Sequence, residues 1–409
     1  MRNERTEMAV HQPKTADVVI IGGGIIGIST AFQLARRGLR DVVVVERQHL
    51  GAGATGKSGA LVRCHYTNVP EARLALESLR IFREWDDEVG AGSPGFDPVG
   101  FLRLVAPRDE ARLRANVAAL QAIGVETSVV TADEAHAIEP LIRTDDLTVA
   151  AFEPGSGTAD PNGALYGFAT AATALGVLIL TETTATEIVT RGDRVVGVHT
   201  EAGRIATETV VLAAGARSDQ LLHPLGLDLG LTPTRTQVVI FRWPPTVDLG
   251  RRHRVVIDSI RGSWFRPEGD AGTLVGLGVA ARPASPDDAD ETIDAAAVGR
   301  ARSAMAHRFP GFAAATMRGG WAGAYMYSAD GHPIIDQIPA VPGLWVMTGD
   351  SGTSFKTAPA IGICLAEWIT EGTPKLVDLT AFRSTRFAEG RPWVDDAPYA
   401  RPDKLTVQR

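Results

Sequence analysis

A glycine-rich turn near the start of the chain has the residues needed to hold a pyrophosphate. Gly22, Gly24 and Gly27 fit the pattern G-x-G-x-x-G between a predicted strand and a predicted helix. The first glycine permits a tight turn, the second lets phosphate approach the backbone, and the third lets helix and strand pack closely. Free N–H groups at the start of the helix can meet the negative charge. The turn therefore predicts a dinucleotide site.

An acidic residue completes this motif. Glu46 ends the next predicted strand, about 20 residues after the turn, where a carboxylate accepts hydrogen bonds from ribose hydroxyls. An acid at this position disfavours a 2′-phosphate and therefore NADP. The spacing alone leaves FAD and NAD both open.

A second glycine turn lies near the C-terminus. Gly349 and Gly352 follow the predicted strand Leu344–Thr348 and precede the predicted helix Pro359–Ile369. Lys356 lies at this turn, and the chain has only five lysines. The N-terminus of such a helix stabilises negative charge that develops near it.

The chain around these turns predicts two kinds of β-sheet. The strand Val18–Ile21, the helix Ile25–Arg37 and the strand Val42–Val45 form a βαβ pattern, which is typical of a parallel sheet. The segments Gln237–Phe241 and Thr273–Leu277 instead predict strands of an antiparallel sheet. We therefore predict an α/β (α+β) fold, in which a Rossmann-type nucleotide-binding domain carries an inserted antiparallel-sheet substrate domain.

The predicted domains are discontinuous in the chain. We assign the nucleotide-binding domain to residues 16–92, 153–226 and 322–382, and the substrate domain to residues 93–152 and 227–321. Residues 1–15 are predicted to be a disordered tail and residues 383–409 a C-terminal tail.

Composition excludes several classes of partner. A net charge of -7 provides no basic surface for nucleic acid. Four glycines interrupt the apolar run Val18–Ile28, so we predict no membrane span, and Met1–Thr15 lacks the features of a signal peptide, which favours a cytoplasmic protein. Cys64 and Cys364 provide neither a disulfide framework nor zinc-ligand spacing, so we predict no metal site.

The order of motifs along nearly the whole chain resembles one family. Asp17–Arg63, Thr209–Gly215, Asp330–Asp336, Gly349–Lys356 and Pro359–Gly362 are similar to segments of the D-amino-acid oxidase superfamily of flavoproteins. Within it, they resemble the sarcosine oxidase-like branch, which includes sarcosine oxidase beta subunits and glycine oxidase-like proteins.

This resemblance implies FAD as the cofactor and a set of residues that hold it. The implied residues lie in the two glycine turns and the segments that return to them: Gly22, Gly24, Ile25, Ile26, Gly27, Glu46, Arg47, Ala54, Thr55, Ser58, Gly59, Ala214, Gly215, Gly349, Gly352, Thr353, Ser354 and Lys356.

The resemblance also implies a site for an amino acid substrate. Arg63 matches the family arginine that binds the substrate carboxylate, and Lys356 matches the lysine that assists it. A guanidinium grips a carboxylate through two parallel hydrogen bonds. Aromatic residues fall near positions that line the amine pocket in this branch: Tyr325, Tyr327, Trp264 and Phe265.

Two departures from the family pattern concern the flavin. Some relatives tether it to a cysteine in the segment that here reads Ala324–Tyr327, and others to a histidine in the segment that here reads Ala159–Pro161. Neither residue is present, so we predict non-covalent FAD. The lysine thought to activate oxygen is also absent, because no lysine occurs between Lys57 and Lys356. O2 and another electron acceptor both stay open.

The resemblance predicts FAD-dependent oxidation of a small amino acid or N-alkyl amino acid. A hydride would pass from the C–H next to nitrogen to flavin N5, and the resulting imine would hydrolyse. One alternative is a 2-hydroxy-acid dehydrogenase, which needs a base such as His65 or His332. The other is a flavin-carrying electron-transfer subunit of a larger amine dehydrogenase complex, with a partner subunit.

Overall fold

The structure is a computed structural model that describes residues 12–247, 250–278, 285–288 and 290–400, and these residues include nine α-helices and nineteen strands. The helices are α1 Ile25–Arg36, α2 Val69–Arg83, α3 Trp85–Glu88, α4 Glu110–Ala122, α5 Ala132–Ile138, α6 Pro161–Ala174, α7 Ser218–Leu222, α8 Ala295–Arg308 and α9 Ala358–Glu371. The strands are β1 Val18–Ile21, β2 Val42–Val45, β3 Leu61–Val62, β4 Phe101–Leu104, β5 Ser128–Thr131, β6 Val149–Glu153, β7 Gly157–Thr158, β8 Leu178–Leu180, β9 Ala185–Arg191, β10 Arg194–Thr200, β11 Gly203–Ile205, β12 Val210–Leu212, β13 Thr232–Arg242, β14 Val255–Asp258, β15 Ser263–Glu268, β16 Gly272–Leu277, β17 Thr316–Tyr327, β18 Ile334–Gln337 and β19 Leu344–Thr348.

A six-stranded sheet carries the glycine turns. Its order is β18-β19-β12-β1-β2-β8, and all neighbouring pairs are parallel except β18 with β19. Every residue of β1, β2 and β19 is buried, because apolar side chains cover both faces of the sheet. The predicted βαβ unit and its parallel sheet are confirmed.

The second large sheet has eight strands. Its order is β17-β13-β16-β15-β14-β4-β6-β5. The pairing is antiparallel except between β4 and β14, which run parallel. Helices α5 and α8 pack on one face over a core that includes Phe265, Phe309 and Phe312. The predicted antiparallel sheet is thus confirmed, with one parallel pair that the sequence pattern did not indicate.

Helices α1 and α9 pack closely where their backbones approach. A Cβ atom at Gly362 would lie 2.8 Å from the Ser29 hydroxyl and 2.9 Å from its carbonyl carbon. Ser29 also donates a hydrogen bond to the Ala358 carbonyl at 3.0 Å. This contact fixes the start of α9, and hence the second glycine turn, against the helix that follows the first.

Some element limits differ from the sequence prediction. The sequence pattern near Glu71–Asp87 predicts one helical stretch. The structure divides it into α2 and α3, because Glu84 has φ −104° and ψ 33°, outside the helical region. Strand β13 covers Thr232–Arg242 rather than Gln237–Phe241, because it pairs along its length with β17. Long-range pairing extends strands beyond their local pattern.

The domain limits remain a proposal. Strand β17 continues in the larger sheet to Tyr327, beyond the predicted limit at residue 322. Residues 1–11 and 401–409 of the predicted tails lie outside the described residues. Of the remainder, Thr15 forms a parallel bridge with Ala206, and Tyr399 is only 3% exposed.

A buried ion pair attaches the C-terminal segment to the body. Asp330 accepts hydrogen bonds from Arg386 Nε at 2.8 Å and Nη2 at 3.0 Å, and from the Trp393 backbone N–H at 2.8 Å. Burial alone would raise the pKa of Asp330, but Arg386 and the backbone N–H groups outweigh it and lower the pKa to about 2.

We expect this pair to make stability depend on acid. The pKa of Asp330 lies below the ordinary value of 3.8, so its contribution is complete above about pH 5 and is lost as pH falls through about 4 towards 2. The free energy of unfolding should lose about 1 kcal/mol from this group between pH 5 and pH 3. The free energy of unfolding, measured with denaturant at several pH values in this range, should depend less steeply on pH in Asp330→Asn than in the wild type. The exposed Asp41→Asn serves as control, and equal slopes in all three proteins would contradict the prediction.

Candidate cofactor and substrate cavities

A cavity of about 530 Å³ opens at the carboxyl ends of the central parallel strands. This is the edge where ligands bind in sheets of this type. Its wall includes residues that follow β1, β2, β12 and β19, among them Gly22, Glu46, Ala214 and Gly349. The two glycine turns therefore face one common space.

The first glycine turn requires glycine at two positions. Gly22 has φ +119°, and a Cβ atom there would lie 2.3 Å from the Ala213 carbonyl oxygen. A Cβ atom at Gly27 would lie 2.0 Å from the Gly22 carbonyl oxygen. Gly24 is the N-cap of α1 and lines the cavity. The turn thus presents bare backbone at a helix N-terminus, which suits a pyrophosphate.

Glu46 is held in place at the cavity wall. Its two carboxylate oxygens accept hydrogen bonds from the backbone N–H groups of Gly23 and Gln48, each at 2.8 Å. A carboxylate oxygen has a further lone pair, so Glu46 keeps acceptor capacity for ribose hydroxyls. Thr55 Oγ1 accepts from the Ile25 N–H at 3.0 Å and joins the neighbouring loop to the helix.

Most of the predicted FAD residues line this cavity. They are Gly22, Gly24, Ile25, Ile26, Glu46, Arg47, Ala54, Thr55, Ser58, Ala214, Gly215, Gly349, Gly352 and Ser354. Gly27 acts instead through packing, and three further residues line the adjoining cavity described next: Gly59, Thr353 and Lys356. The bare glycine backbone and the Glu46 carboxylate on this wall fit FAD.

A smaller cavity of about 190 Å³ adjoins the first. The two share wall residues Ser58, Tyr325, Gly352 and Phe355. This volume lies below the usual range for ligand pockets of about 300–1,000 Å³. The second cavity therefore suits a small substrate next to the cofactor space.

The structure brings together the two cations predicted to bind a carboxylate. Arg63 and Lys356 both line the second cavity and are 5% and 6% exposed. Arg63 Cζ lies 4.8 Å from the Tyr66 ring centre, and Lys356 Nζ lies 5.2 Å from it. Arg63 also donates to the His65 carbonyl, and Lys356 Nζ donates to the Thr353 carbonyl at 2.7 Å. These contacts hold the two charged groups close to the same aromatic ring.

Two predicted tyrosines stand on the cavity side of β17. Tyr325 and Tyr327 are two residues apart, so their side chains share one face of the strand. Tyr325 OH donates to the Lys57 carbonyl at 3.2 Å, and burial raises the pKa of Tyr325 to about 12. Tyr325 therefore stays protonated at neutral pH.

The prediction that Phe265 lines the amine pocket is corrected by the structure. Phe265 is fully buried on the opposite face of β15, where its ring centre lies 5.2 Å from that of Phe309. The adjacent Trp264 lines the cavity instead. Successive side chains of a strand point to opposite faces, so only one of this aromatic pair can face the substrate.

Sequence reasoning missed Arg103. This side chain lies in β4, is 1% exposed, and lines the second cavity. The local signal was an arginine within the apolar strand Phe101–Leu104. Arginine is rarely fully buried unless its charge interacts with a partner.

Neither histidine considered as a base lines the described walls of the two cavities. His65 Nε2 lies 2.8 Å from Tyr399 OH, and burial lowers the pKa of His65 well below its usual range. His332 Nδ1 lies 2.9 Å from Glu71 Oε2, and its ring stacks on Trp393. Both histidines are built into the buried framework.

Cys64 is also separate from both cavity walls as described. It is 1% exposed, and burial raises the pKa of its thiol well above the usual range. A buried thiol held protonated is a poor nucleophile. Its burial therefore disfavours a covalent bond between Cys64 and flavin.

Comparison with known proteins agrees with this geometry. The chain is 26% identical to mitochondrial dimethylglycine dehydrogenase of Rattus norvegicus over 91% of its own length and 45% of that relative. It is 26% identical to sarcosine oxidase subunit beta of Rhodobacter capsulatus, over 94% of this chain and 91% of that subunit. The chain thus spans less than half the length of the dimethylglycine dehydrogenases that it matches.

Solved structures agree as well. L-proline dehydrogenase from P. horikoshii has a TM-score of 0.85 and 27% identity, and the match covers 93% of this chain and 100% of the dehydrogenase chain. Glycine oxidase from Geobacillus kaustophilus has a TM-score of 0.79 and 26% identity, and the match covers 91% of this chain and 99% of the oxidase chain. These matches confirm the resemblance to the sarcosine oxidase-like branch. A family model described as FAD dependent oxidoreductase matches residues 17–368. The chain belongs to the FAD dependent oxidoreductase family.

Proposed function

We propose that this flavoprotein oxidises a small amino acid or N-alkyl amino acid, with FAD bound non-covalently in the larger cavity. One observation carries the proposal: Arg63 and Lys356 converge on a small cavity that shares its wall with the cofactor cavity. Two cations beside a redox cofactor suit a substrate that carries a carboxylate.

Different side chains of the smaller cavity bind the two ends of the substrate. The Arg63 guanidinium binds the carboxylate through two parallel hydrogen bonds, and Lys356 adds a third donor. The faces of Tyr327 and Trp264 hold the amine end. Bound FAD would supply the acceptor for a hydride from the C–H next to nitrogen, and the imine product would hydrolyse in water.

The second glycine turn would favour that transfer electrostatically. It ends at α9, whose 14 residues begin directly after Thr357. The positive end of the helix dipole stabilises nearby negative charge. Gly349, Gly352 and Ser354 line the cofactor cavity just before this helix.

The names of the relatives support this substrate class. The matched proteins are named for dimethylglycine, sarcosine, proline and glycine, which are all small amino acids or their N-alkyl forms. Oxidation of 2-hydroxy acids has less support, because it needs a base, and His65 and His332 lie outside the described cavity walls.

A role within a larger complex is a second candidate. The match to a protein named as a beta subunit favours it. Activity that appears only after a partner subunit is added would establish this role. The absence of a lysine between Lys57 and Lys356 disfavours fast oxidation by O2, so another electron acceptor is the alternative to O2.

We place the protein in the cytoplasm, which is consistent with the free, buried thiols of Cys64 and Cys364. Within the described ranges, no helix has the length and apolar character to cross a bilayer.

The test is the absorption spectrum of the FAD-loaded protein under anaerobic conditions. Sarcosine, proline, D- and L-amino acids and 2-hydroxy acids are added in turn. We expect an amine to bleach the flavin band, and admitting air then separates fast oxidase recovery from slow dehydrogenase recovery. Bleaching by hydroxy acids alone would reject the proposal, as would a purified protein that takes up no FAD.

A further inference from the structure

Arg63, the residue assigned above to the substrate carboxylate, lies in a segment without helix or strand. Residues 63–68 join the end of β3 to the start of α2. The Arg63 guanidinium donates a hydrogen bond to the His65 carbonyl, and its Cζ atom lies 4.8 Å from the centre of the Tyr66 ring. Both of these partners belong to the same short segment. The position of the guanidinium therefore depends on what holds residues 65 and 66 in place.

Residues 391–400 also form no helix or strand, yet two of their side chains are buried. Asp395 is 8% exposed and Tyr399 is 3% exposed, whereas the neighbouring Val394 is 74% exposed. Burial of polar side chains costs free energy unless they form hydrogen bonds. Both Asp395 and Tyr399 form such bonds with residues of the segment 63–68.

Tyr399 contacts the residue whose carbonyl accepts from Arg63. Its OH lies 2.8 Å from His65 Nε2, and His65 is fully buried. Burial lowers the pKa of His65 well below its usual range and raises the pKa of Tyr399, so both groups are neutral at pH 7. The Tyr399 ring belongs to an apolar cluster with Leu113 and Val117 of α4. Tyr399 thus links His65, and with it the acceptor of Arg63, to this helix.

Asp395 holds the other end of the segment that carries Arg63. Its Oδ2 accepts a hydrogen bond from the Thr67 hydroxyl at 2.6 Å, and its Oδ1 accepts from the Asn68 side-chain amide at 3.0 Å. Asn68 is also the N-cap of α2, where its side chain accepts from the Glu71 backbone N–H at 2.9 Å. Asp395 therefore fixes residues 67 and 68 at the start of the helix.

Residues 391–400 are themselves attached to the body of the protein on both sides. The Trp393 backbone N–H donates to Asp330 at 2.8 Å, next to the start of β18. The Asn116 side chain of α4 donates to the Ala397 carbonyl at 3.0 Å. These two attachments flank Asp395, so that residue is held on a fixed support.

We propose that Asp395 and Tyr399 are positioning residues, which hold the Arg63 guanidinium through residues 65–68 in the place where it receives the substrate carboxylate. Neither side chain is part of the described wall of either cavity, so both act through Arg63. Two parallel hydrogen bonds to a carboxylate need a defined geometry of the guanidinium. The inference rests on the proposed function, because it concerns the binding of that carboxylate.

Two unreactive ligands measure how well the guanidinium is placed. Propionate and propionamide have nearly the same shape, only propionate is charged, and neither has a C–H next to nitrogen to oxidise. Their binding to the FAD-loaded protein is measured by calorimetry and by perturbation of the flavin spectrum. We expect the wild type to bind propionate about 10- to 100-fold more tightly than propionamide, as hydrogen bonds to a charged group provide.

Tyr399→Phe and Asp395→Asn should each reduce this preference about 3- to 10-fold, which is the range expected for one buried hydrogen bond. The affinity for propionamide and the flavin content should remain those of the wild type. Ser384→Ala is the matched control. It removes another buried hydrogen bond of the C-terminal region, from the Ser384 hydroxyl to Asp336 at 2.6 Å, which does not involve residues 63–68. Its preference for propionate should equal that of the wild type.

An unchanged preference for propionate in either folded variant would overturn the proposal. Equal losses of affinity for both ligands would overturn it as well, since they indicate general loosening of the cavity. Because the two variants change different contacts, the other decides if one does not fold. With a reactive amine, the loss should raise KM and leave kcat within about twofold, because substrate binding is weakened and the chemical step is not.

The same measurements separate this inference from the proposed function. A wild type that binds propionate and propionamide equally would reject the carboxylate role of Arg63 itself. Amine turnover, together with a preference for propionate that survives in Tyr399→Phe, would reject only the positioning role. Loss of that preference in the variants, without oxidation of any amine by the wild type, would reject amine oxidation and keep the positioning role.

Discussion

Replacing Arg63 with alanine should lower kcat/KM for the amino acid substrate by about 30- to 5,000-fold, chiefly through a higher KM. The range corresponds to about 2–5 kcal/mol for removing one partner of a buried, hydrogen-bonded charge pair. Arg63 lines the substrate cavity rather than the cofactor cavity. Flavin content should therefore remain that of the wild type, as the absorbance of the purified protein will show.

Two further variants separate this role from packing. Arg63→Lys keeps the charge and loses the planar pair of donors, so it should be more active than Arg63→Ala and less active than the wild type. Arg302→Ala is the control, because its guanidinium also lies over an aromatic ring, 5.0 Å from the centre of Phe241, away from the described walls of both cavities. Unchanged steady-state kinetics in Arg63→Ala would show that this arginine does not bind the carboxylate.

Gly24→Val should abolish stable FAD binding while leaving the fold in place. Gly24 has φ −84°, which any residue can adopt, and it lines the cofactor cavity at the N-terminus of α1. A Cβ atom there would lie 3.1 Å from Thr55 Oγ1, and the γ-methyl groups would occupy the space that a pyrophosphate needs. We expect a colourless protein whose affinity for added FAD falls at least about 100-fold, as for the loss of several hydrogen bonds to a charged group.

The control for Gly24→Val is a glycine with room around it. A Cβ atom at Gly299 in α8 would meet nothing within 4 Å. Gly299→Val should retain FAD, and circular dichroism should show native secondary structure in both variants. A Gly24→Val protein that is purified with full flavin content would refute the assigned position of the pyrophosphate.

Much of the fold was predictable because its signals are local. The glycine turn, its flanking strand and helix, and Glu46 lie within 30 residues of one another, about the length of a βαβ unit. Tight turns and hydrophobic periodicity depend on neighbouring residues alone. The length of β13 was not predictable, since residues 232–236 are strand only because they pair with residues far along the chain.

The site was predictable only in part. Arg63 and Lys356 were found through resemblance, and the structure places them on one ring, that of Tyr66. Trp264 and Phe265 were both assigned to the pocket, but only Trp264 lines it. The alternation of a strand divides such a pair between two faces, but the sequence does not say which face meets the cavity.

By itself, the sequence determined a dinucleotide-binding βαβ unit, a preference against NADP and the lack of a cysteine or histidine in the two segments where relatives tether flavin. Each depends on residue identity within a short stretch. Only the tertiary structure decided that Arg103 of β4 joins Arg63 and Lys356 around one cavity. Residues so far apart in sequence meet because strand order and sheet packing bring them together, and no local pattern encodes that order.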